Sequence, residues 1–111
     1  MKLSIIVPIF NEAATAATLL DQIMALSLDG VEKEIVIIES GSTDGTTEIV
    51  RRYEERPGVS VIYEDKPRGK GAAVRRGLAK VTGDVVVIQD ADLEYSVSDY
   101  PRLLEPFKRG E

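Results

Sequence analysis

The sequence predicts an α/β fold, a three-layer sandwich built on a parallel sheet of four strands in the order 3-2-1-4. Three observations predict it. Four short apolar runs, near residues 3–10, 33–39, 59–63 and 85–88, are rich in Ile and Val, and all but the third lack the polar alternation of a half-solvated strand. Between successive runs lies a segment of helical length and periodicity, so that each crossover is a βαβ unit. The runs close on polar, turn-forming stretches, which places the reactive side chains at strand ends.

The elements follow in order. Leu3-Ser4-Ile5-Ile6-Val7-Pro8-Ile9-Phe10 is the first strand, with Pro8 marking where pairing stops because proline has no N–H to give. Asn11, a favourable N-cap, opens a helix over roughly Glu12 to Leu28, in which Leu19, Leu20, Ile23, Met24 and Leu26 recur at helical spacing. Asp29-Gly30 ends it, and Lys33 to Glu39 is the second strand. Ser40-Gly41-Ser42-Thr43-Asp44-Gly45 is a turn whose Ser42, Thr43 and Asp44 are capping candidates for a helix from about Thr46 to Arg56, stopped by Pro57-Gly58. Val59 to Tyr63 alternates as an edge strand does. A loop from Glu64 to Gly71 then feeds a helix over Ala72 to Val81, which Thr82-Gly83 ends. Val85-Val86-Val87-Ile88 reads as a strand buried on both faces and leads into Gln89-Asp90-Ala91-Asp92. Ser96 to Gly110 is a closing helix, with Ser98 as N-cap and Leu103, Leu104 and Phe107 turned inward. There is no internal repeat and no linker.

Composition narrows the chemistry. A chain of 111 residues with 43% apolar content holds one domain with a real core. Its net charge of −5 argues against a general nucleic-acid binder, since phosphate neutralisation calls for a basic face. Positive charge is instead local, in Lys66, Arg68, Lys70, Arg75, Arg76 and Lys80, with no acid between Lys66 and Gly83. The absence of cysteine removes disulfides and thiolate metal sites, and the absence of histidine removes the usual general base. A metal here would be Mg²⁺ or Mn²⁺, held by oxygen. The apolar run Leu3 to Phe10 is too short for a membrane span, and residues 1–111 read as cytosolic.

The motifs carry more. Residues two apart on an extended chain share a side, roughly 6.5–7 Å apart, so Asp90 and Asp92 can converge on one hard cation or a polyol. Alone, an Asp-x-Asp more often solvates a strand end. The 3-2-1-4 order changes that weighting, because it makes a switch point between strands one and four, where ligands bind outside the carboxyl ends. Phe10, Asn11 and Glu12 then stand beside Asp90 and Asp92, with Ser40-Gly41-Ser42 one strand away. Ser40-Gly41-Ser42 is a turn and also a set of donors for a base or ribose. Gly69-Lys70-Gly71 is either a plain helix entry or a lysine at an anion-favouring helix N-terminus. Glu12 caps its own helix or faces the crevice as an acceptor, and Glu94 and Tyr95 stand either at its mouth or on the surface. A glycine-free first turn disfavours a dinucleotide fold, and Gly69-Lys70-Gly71 lacks the spacing of a Walker loop.

Four segments, Ile5 to Glu12, Glu34 to Thr46, Arg68 to Ala73 and Gln89 to Tyr95, occur in the order and spacing of family 2 glycosyltransferases. The stretch Asp99-Tyr100-Pro101-Arg102-Leu103-Leu104 most resembles the dolichyl- and polyprenyl-phosphate mannosyl- and glucosyltransferase branch. The resemblance implies a GT-A (Rossmann-like) fold and a sugar-nucleotide donor such as GDP-mannose or UDP-glucose. It implies that Pro8, Phe10, Asn11 and Glu12 line the nucleotide pocket and that Glu39, Ser40, Gly41 and Ser42 lie near the base. Lys70 and Gly71 fall near ribose or phosphate. Asp90, Ala91 and Asp92 match the motif in which a divalent cation, Mg²⁺ or Mn²⁺, is held by the two aspartates against the diphosphate. Many relatives carry two aspartates where this chain has Glu39-Ser40, which leaves the identity of the base open.

By the same resemblance, residues 1–111 are the nucleotide-sugar-binding part of a longer enzyme whose acceptor half follows. The acceptor is polyprenyl or dolichyl phosphate or a saccharide, and the full-length protein is peripheral to the cytoplasmic face of a membrane. A non-catalytic nucleotide-binding module is the alternative, and acceptor-side motifs beyond Glu111 would distinguish the two. A nucleotidyltransferase is a weaker third reading, because its Gly-rich signature is missing after the first strand.

Overall fold

The computed structural model describes residues 1–90. The expected closing helix and Ala91, Asp92, Glu94 and Tyr95 lie outside the described residues. Within them the order is β1 (Lys2–Ile9), α1 (Ala16–Ala25), β2 (Glu32–Glu39), α2 (Thr46–Arg51), β3 (Val59–Tyr63), α3 (Lys70–Leu78) and β4 (Val85–Ile88). The strands form one sheet in the order β3-β2-β1-β4, and every pairing is parallel. The predicted architecture is observed.

Alternation along each strand splits the core in two. Leu3, Ile5, Val7 and Ile9 of β1 join Ile35 and Ile37 of β2 on one face, packed against Leu19, Leu20 and Ile23 of α1 and Val50 and Tyr53 near α2. Ile6, Val36 and Ile38 fill the other face under Ala73 of α3. Each fully buried Leu or Ile of this kind contributes about 1.5–3 kcal/mol by leaving water. Gly77 brings α3 close to the sheet. A Cβ there would lie 2.8 Å from Ile6 Cγ2 and 3.0 Å from Ile38 Cδ1.

Pairing past Pro8 differs from expectation. The β1–β2 ladder continues through Pro8↔Ile38 to Ile9↔Glu39, whereas the β1–β4 ladder ends at Ile6↔Ile88. Ile6 accepts from the Gln89 amide through its carbonyl, so alternate residues, Pro8 among them, turn their backbone toward β4. The proline falls where that ladder has ended, and its missing N–H is not needed.

β4 also departs from the expectation of a strand buried on both faces. Val85 and Val87 pack against the α1-side core, but Val86 and Ile88 are 37% and 36% exposed. The helix α3 lies over β1 and β2, and β4 is an edge of the described sheet, so that side is covered only in part by the described residues.

The base of β4 is nevertheless tied down. Glu34 accepts hydrogen bonds from Ser4 Oγ (2.7 Å), the Thr82 amide (2.8 Å) and Thr82 Oγ1 (3.1 Å), while Ser4 Oγ accepts from the Gly83 amide at 2.9 Å. Burial by itself would raise the Glu34 pKa; those hydrogen bonds and the Lys2 ammonium outweigh it and hold the carboxyl below its ordinary value.

α1 is shorter than its periodicity predicts at both ends. At the C-terminal end Leu26 is already extended, and the Lys33 ammonium donates to the freed carbonyls of Ile23 (2.7 Å), Met24 (3.1 Å) and Leu26. That satisfies orphan acceptors and places a cation at the negative end of the helix. Partial burial lowers the Lys33 pKa. α2 ends at Arg51 rather than near Arg56, its continuation being turns. No helix among the described residues is long and apolar enough to cross a membrane.

Candidate functional site

The loops after β1 and β2 are knotted together at the carboxyl end of the sheet. The Asn11 amide donates to Ser42 Oγ (2.9 Å), and Asn11 Oδ1 accepts from the Thr43 amide (2.8 Å). The Glu12 amide donates to Thr46 Oγ1 (3.0 Å) and the Ala13 amide to Asp44 Oδ2 (3.1 Å). Asn11 is therefore not the cap of α1. Its φ of 51° is left-handed, a conformation that asparagine tolerates better than most residues. The helix starts after Thr15 with no side-chain cap. The N-cap of α2 is Gly45, so none of Ser42, Thr43 and Asp44 fills it; Asp44, one residue earlier, accepts from the Thr46 amide at 3.1 Å. Its carboxyl is held below its ordinary pKa, first by the Thr46 hydroxyl and then by the Ala13 and Thr46 amides.

Glu39 is buried at the end of β2. Its carboxylate accepts from the Gly41 amide (3.2 Å), the Ser42 amide (2.9 Å) and Thr47 Oγ1 (3.1 Å), and so it is consumed in shaping its own turn. Ser40, the next residue, faces the other way. Its hydroxyl donates to Glu64 Oε1 at 2.8 Å, and Glu64 Oε2 pairs with Arg76 Nη1 at 3.1 Å.

A cavity of about 230 Å³ opens between these loops and the start of α3, lined by Pro8, Ile9, Phe10, Glu12, Ser40, Pro67, Gly69, Lys70, Ala73 and Asp90. Six of the residues singled out in the sequence thus come together: Pro8, Phe10, Glu12, Ser40, Lys70 and Asp90. Asn11, Glu39, Gly41 and Ser42 stand behind the wall and hold its loops. Gly71 does neither. α3 begins at Lys70, two residues earlier than predicted, so Gly71 lies in its first turn, where a Cβ would meet only Arg75 Nη1, at 3.5 Å.

Sequence reasoning missed Glu64 and Arg76 as well as Pro67 and Ala73. The signal for Glu64 lies in the register: Glu39 pairs with Tyr63, so the next residues along, Ser40 and Glu64, are neighbours at the strand ends. Arg76 is three residues after Ala73 on α3, the helix that packs over β1 and β2.

Asp90 is the described residue suited to a hard cation. Its carboxylate already meets a positive charge, the Lys70 ammonium at 2.5 Å, and the two side chains are 16% and 55% exposed. A divalent ion prefers the same kind of oxygen donor, so Asp90 is a carboxylate that could serve one. No cluster of three acidic side chains occurs among the described residues, and Asp92 lies outside them.

With this geometry in place, likeness to known proteins becomes informative. The sequence pattern of Glycosyl transferase family 2 matches residues 4–111. A dolichol-phosphate mannosyltransferase of Pyrococcus furiosus is 36% identical over 110 residues, covering 99% of this chain and 31% of the relative. Among solved structures, a mannosyltransferase from Pyrobaculum calidifontis in complex with GDP-Man and Mn²⁺ superposes with a TM-score of 0.72 at 36% identity, over 87% of this chain and 29% of the other. Glucosyl-3-phosphoglycerate synthase from Mycobacterium tuberculosis, in complex with Mn²⁺, UDP and glucosyl-3-phosphoglycerate, gives 0.75 at 32% identity, over 96% and 39%. The sheet order is that of the GT-A glycosyltransferases. The chain spans about a third of the length of these proteins.

Proposed function

Because the chain belongs to glycosyl transferase family 2, we propose that it is the donor-binding part of a metal-dependent enzyme that transfers a hexose from a GDP- or UDP-sugar to polyprenyl phosphate. The observation that carries this reading is the cavity at the carboxyl ends of β1 and β4, with Ser40 of the β2 loop in its wall and two carboxylates, Glu12 and Asp90, one lysine and an aromatic ring around it. Phe10, 42% exposed, offers a face on which a base can stack. Pro8 and Ala73 supply apolar wall. Glu12 and Ser40 supply polar groups that can orient a ribose or base.

The chemistry suits a chain without histidine. Departure of the nucleoside diphosphate develops negative charge, and a divalent cation held by Asp90 and Asp92 supplies Lewis-acid stabilisation of it. Lys70, at the first turn of α3, adds a positive charge beside Asp90, and the positive end of the helix dipole there favours an anion. A phosphate acceptor is already a nucleophile, so no side-chain base is required; a hydroxyl acceptor would need one. The polyprenyl-phosphate acceptor is supported by the likeness to the Pyrococcus mannosyltransferase. The enzyme would meet that lipid at the cytoplasmic face of a membrane.

Calorimetric titration of the full-length protein with GDP-mannose and UDP-glucose tests this. One donor is expected to bind at least about tenfold tighter with Mn²⁺ present, a gain of ~1.4 kcal/mol. Binding that ignores the metal, or no binding, would overturn the assignment.

A further inference from the structure

Glu64 has no place in the chemistry above, yet it is a carboxylate with a side chain 0% exposed, one residue beyond β3. Its amide donates to the Glu39 carbonyl at 2.8 Å, which fixes it beside the β2 turn. One of its oxygens takes Arg76 Nη1 at 3.1 Å and the other takes Ser40 Oγ at 2.8 Å. A carboxylate paired with a guanidinium is an acceptor only, so the hydrogen in the Ser40–Glu64 bond belongs to the serine. Ser40 has a single hydroxyl hydrogen. Ser40 stands in the cavity wall, and with that hydrogen turned to Glu64 its oxygen has only lone pairs to offer there.

We propose that Glu64 and Arg76 are positioning residues that fix the direction of the Ser40 hydroxyl and thereby set which bases the donor site accepts. The inference rests on the donor-site reading of the cavity. An oxygen that can only accept matches a ring imide N–H, as in uracil and guanine. It opposes the bare ring nitrogen of cytosine and adenine, where two lone pairs would meet and a desolvated acceptor would be left unpaired. The serine alone would not discriminate, because a free hydroxyl can turn to donate or accept. Discrimination comes from the buried pair behind it.

The comparison of UDP with CDP, and of GDP with ADP, isolates this effect, because each pair has nearly the same size and the same phosphates. Calorimetry on the full-length protein with Mn²⁺ is expected to show UDP favoured over CDP, or GDP over ADP, by about tenfold or more. Glu64→Gln should erase or invert that ratio. Arg76 has only donors, so the glutamine carbonyl turns to it and the amide NH₂ faces Ser40, which must then accept and send its own hydrogen into the cavity. Ser40→Thr, which keeps the hydroxyl, should retain the preference, and Ser40→Ala should lose it. Partial unfolding of a variant lowers the bound amount of every nucleotide alike and leaves the ratio untouched. If Glu64→Gln does not fold, the Ser40 pair decides. Nucleotides that bind without a preference for uracil or guanine, or a preference that survives Glu64→Gln or Ser40→Ala, would overturn this inference alone. Failure of all four to bind would overturn the donor-site reading with it.

Discussion

Asp90→Ala is expected to cut Mn²⁺-assisted donor binding by on the order of 100-fold, about 2.7 kcal/mol, while leaving the fold nearly as stable as before. The two parts of that expectation have different origins. In the protein without its donor, the side chain of Asp90 meets the Lys70 ammonium, which is 55% exposed, and an ion pair so open to solvent contributes about 0–1 kcal/mol. Removing it costs the fold little. On the proposed reading the same carboxylate would hold the cation in the donor complex, and among the described residues the one other acid of the cavity wall is Glu12. Asp92→Ala is expected to abolish metal assistance in the same way. Donor titrations at saturating Mn²⁺, run beside urea unfolding of each variant, check both halves. Unchanged donor affinity in Asp90→Ala would remove the aspartate from the site, and a large loss of stability would make it a structural residue.

Gly41→Ala should cost about 2–5 kcal/mol of stability, the sum of a backbone and a steric penalty. Gly41 has φ of +74°, where a Cβ is disfavoured. That Cβ would also lie 2.9 Å from the Asp65 carbonyl oxygen and 3.0 Å from Lys66 Cα, both backbone atoms that cannot rotate aside. The β2 turn and the loop before α3 therefore touch through a residue that must be glycine. Relief of the clash would push the Pro67 to Lys70 side of the cavity away from Ser40, so donor affinity should fall together with the urea midpoint. A variant with an unaltered midpoint would mean that the two loops do not pack as described.

The sheet was legible because its signal is redundant. Ile5-Ile6-Val7 and Ile35-Val36-Ile37-Ile38 are apolar on both sides, helical segments separate the strands, and the crossover rule leaves few orders to choose among. The ends of the elements were less legible, because they depend on partners distant in sequence. The spacing of Leu19, Leu20 and Ile23 announces α1, but Asn11 is taken from its cap by Ser42 and Thr43, 31 and 32 residues away. Val85 to Ile88 has the composition of a doubly buried strand, while burial depends on what lies over each face, and α3 covers β1 and β2.

The site divides along the same line. Phe10, Ser40 and Asp90 follow from strand order and Lys70 from its place at a helix start, whereas Pro8 follows only from the family resemblance. Glu39 and Ser40 cannot be separated by sequence, yet one side chain closes its own turn and the other forms cavity wall. Glu64 carries no local motif; only the parallel register beside Glu39 and Tyr63 brings it to Ser40.

The most direct test of the central claim is a crystal structure of the full-length protein with Mn²⁺ and the tighter-binding of GDP or UDP. The base is expected against Phe10 and Ser40, and the diphosphate near Lys70 with the cation on Asp90. Nucleotide density elsewhere, for example at the opposite end of the sheet beside Lys2 and Glu34, would contradict it.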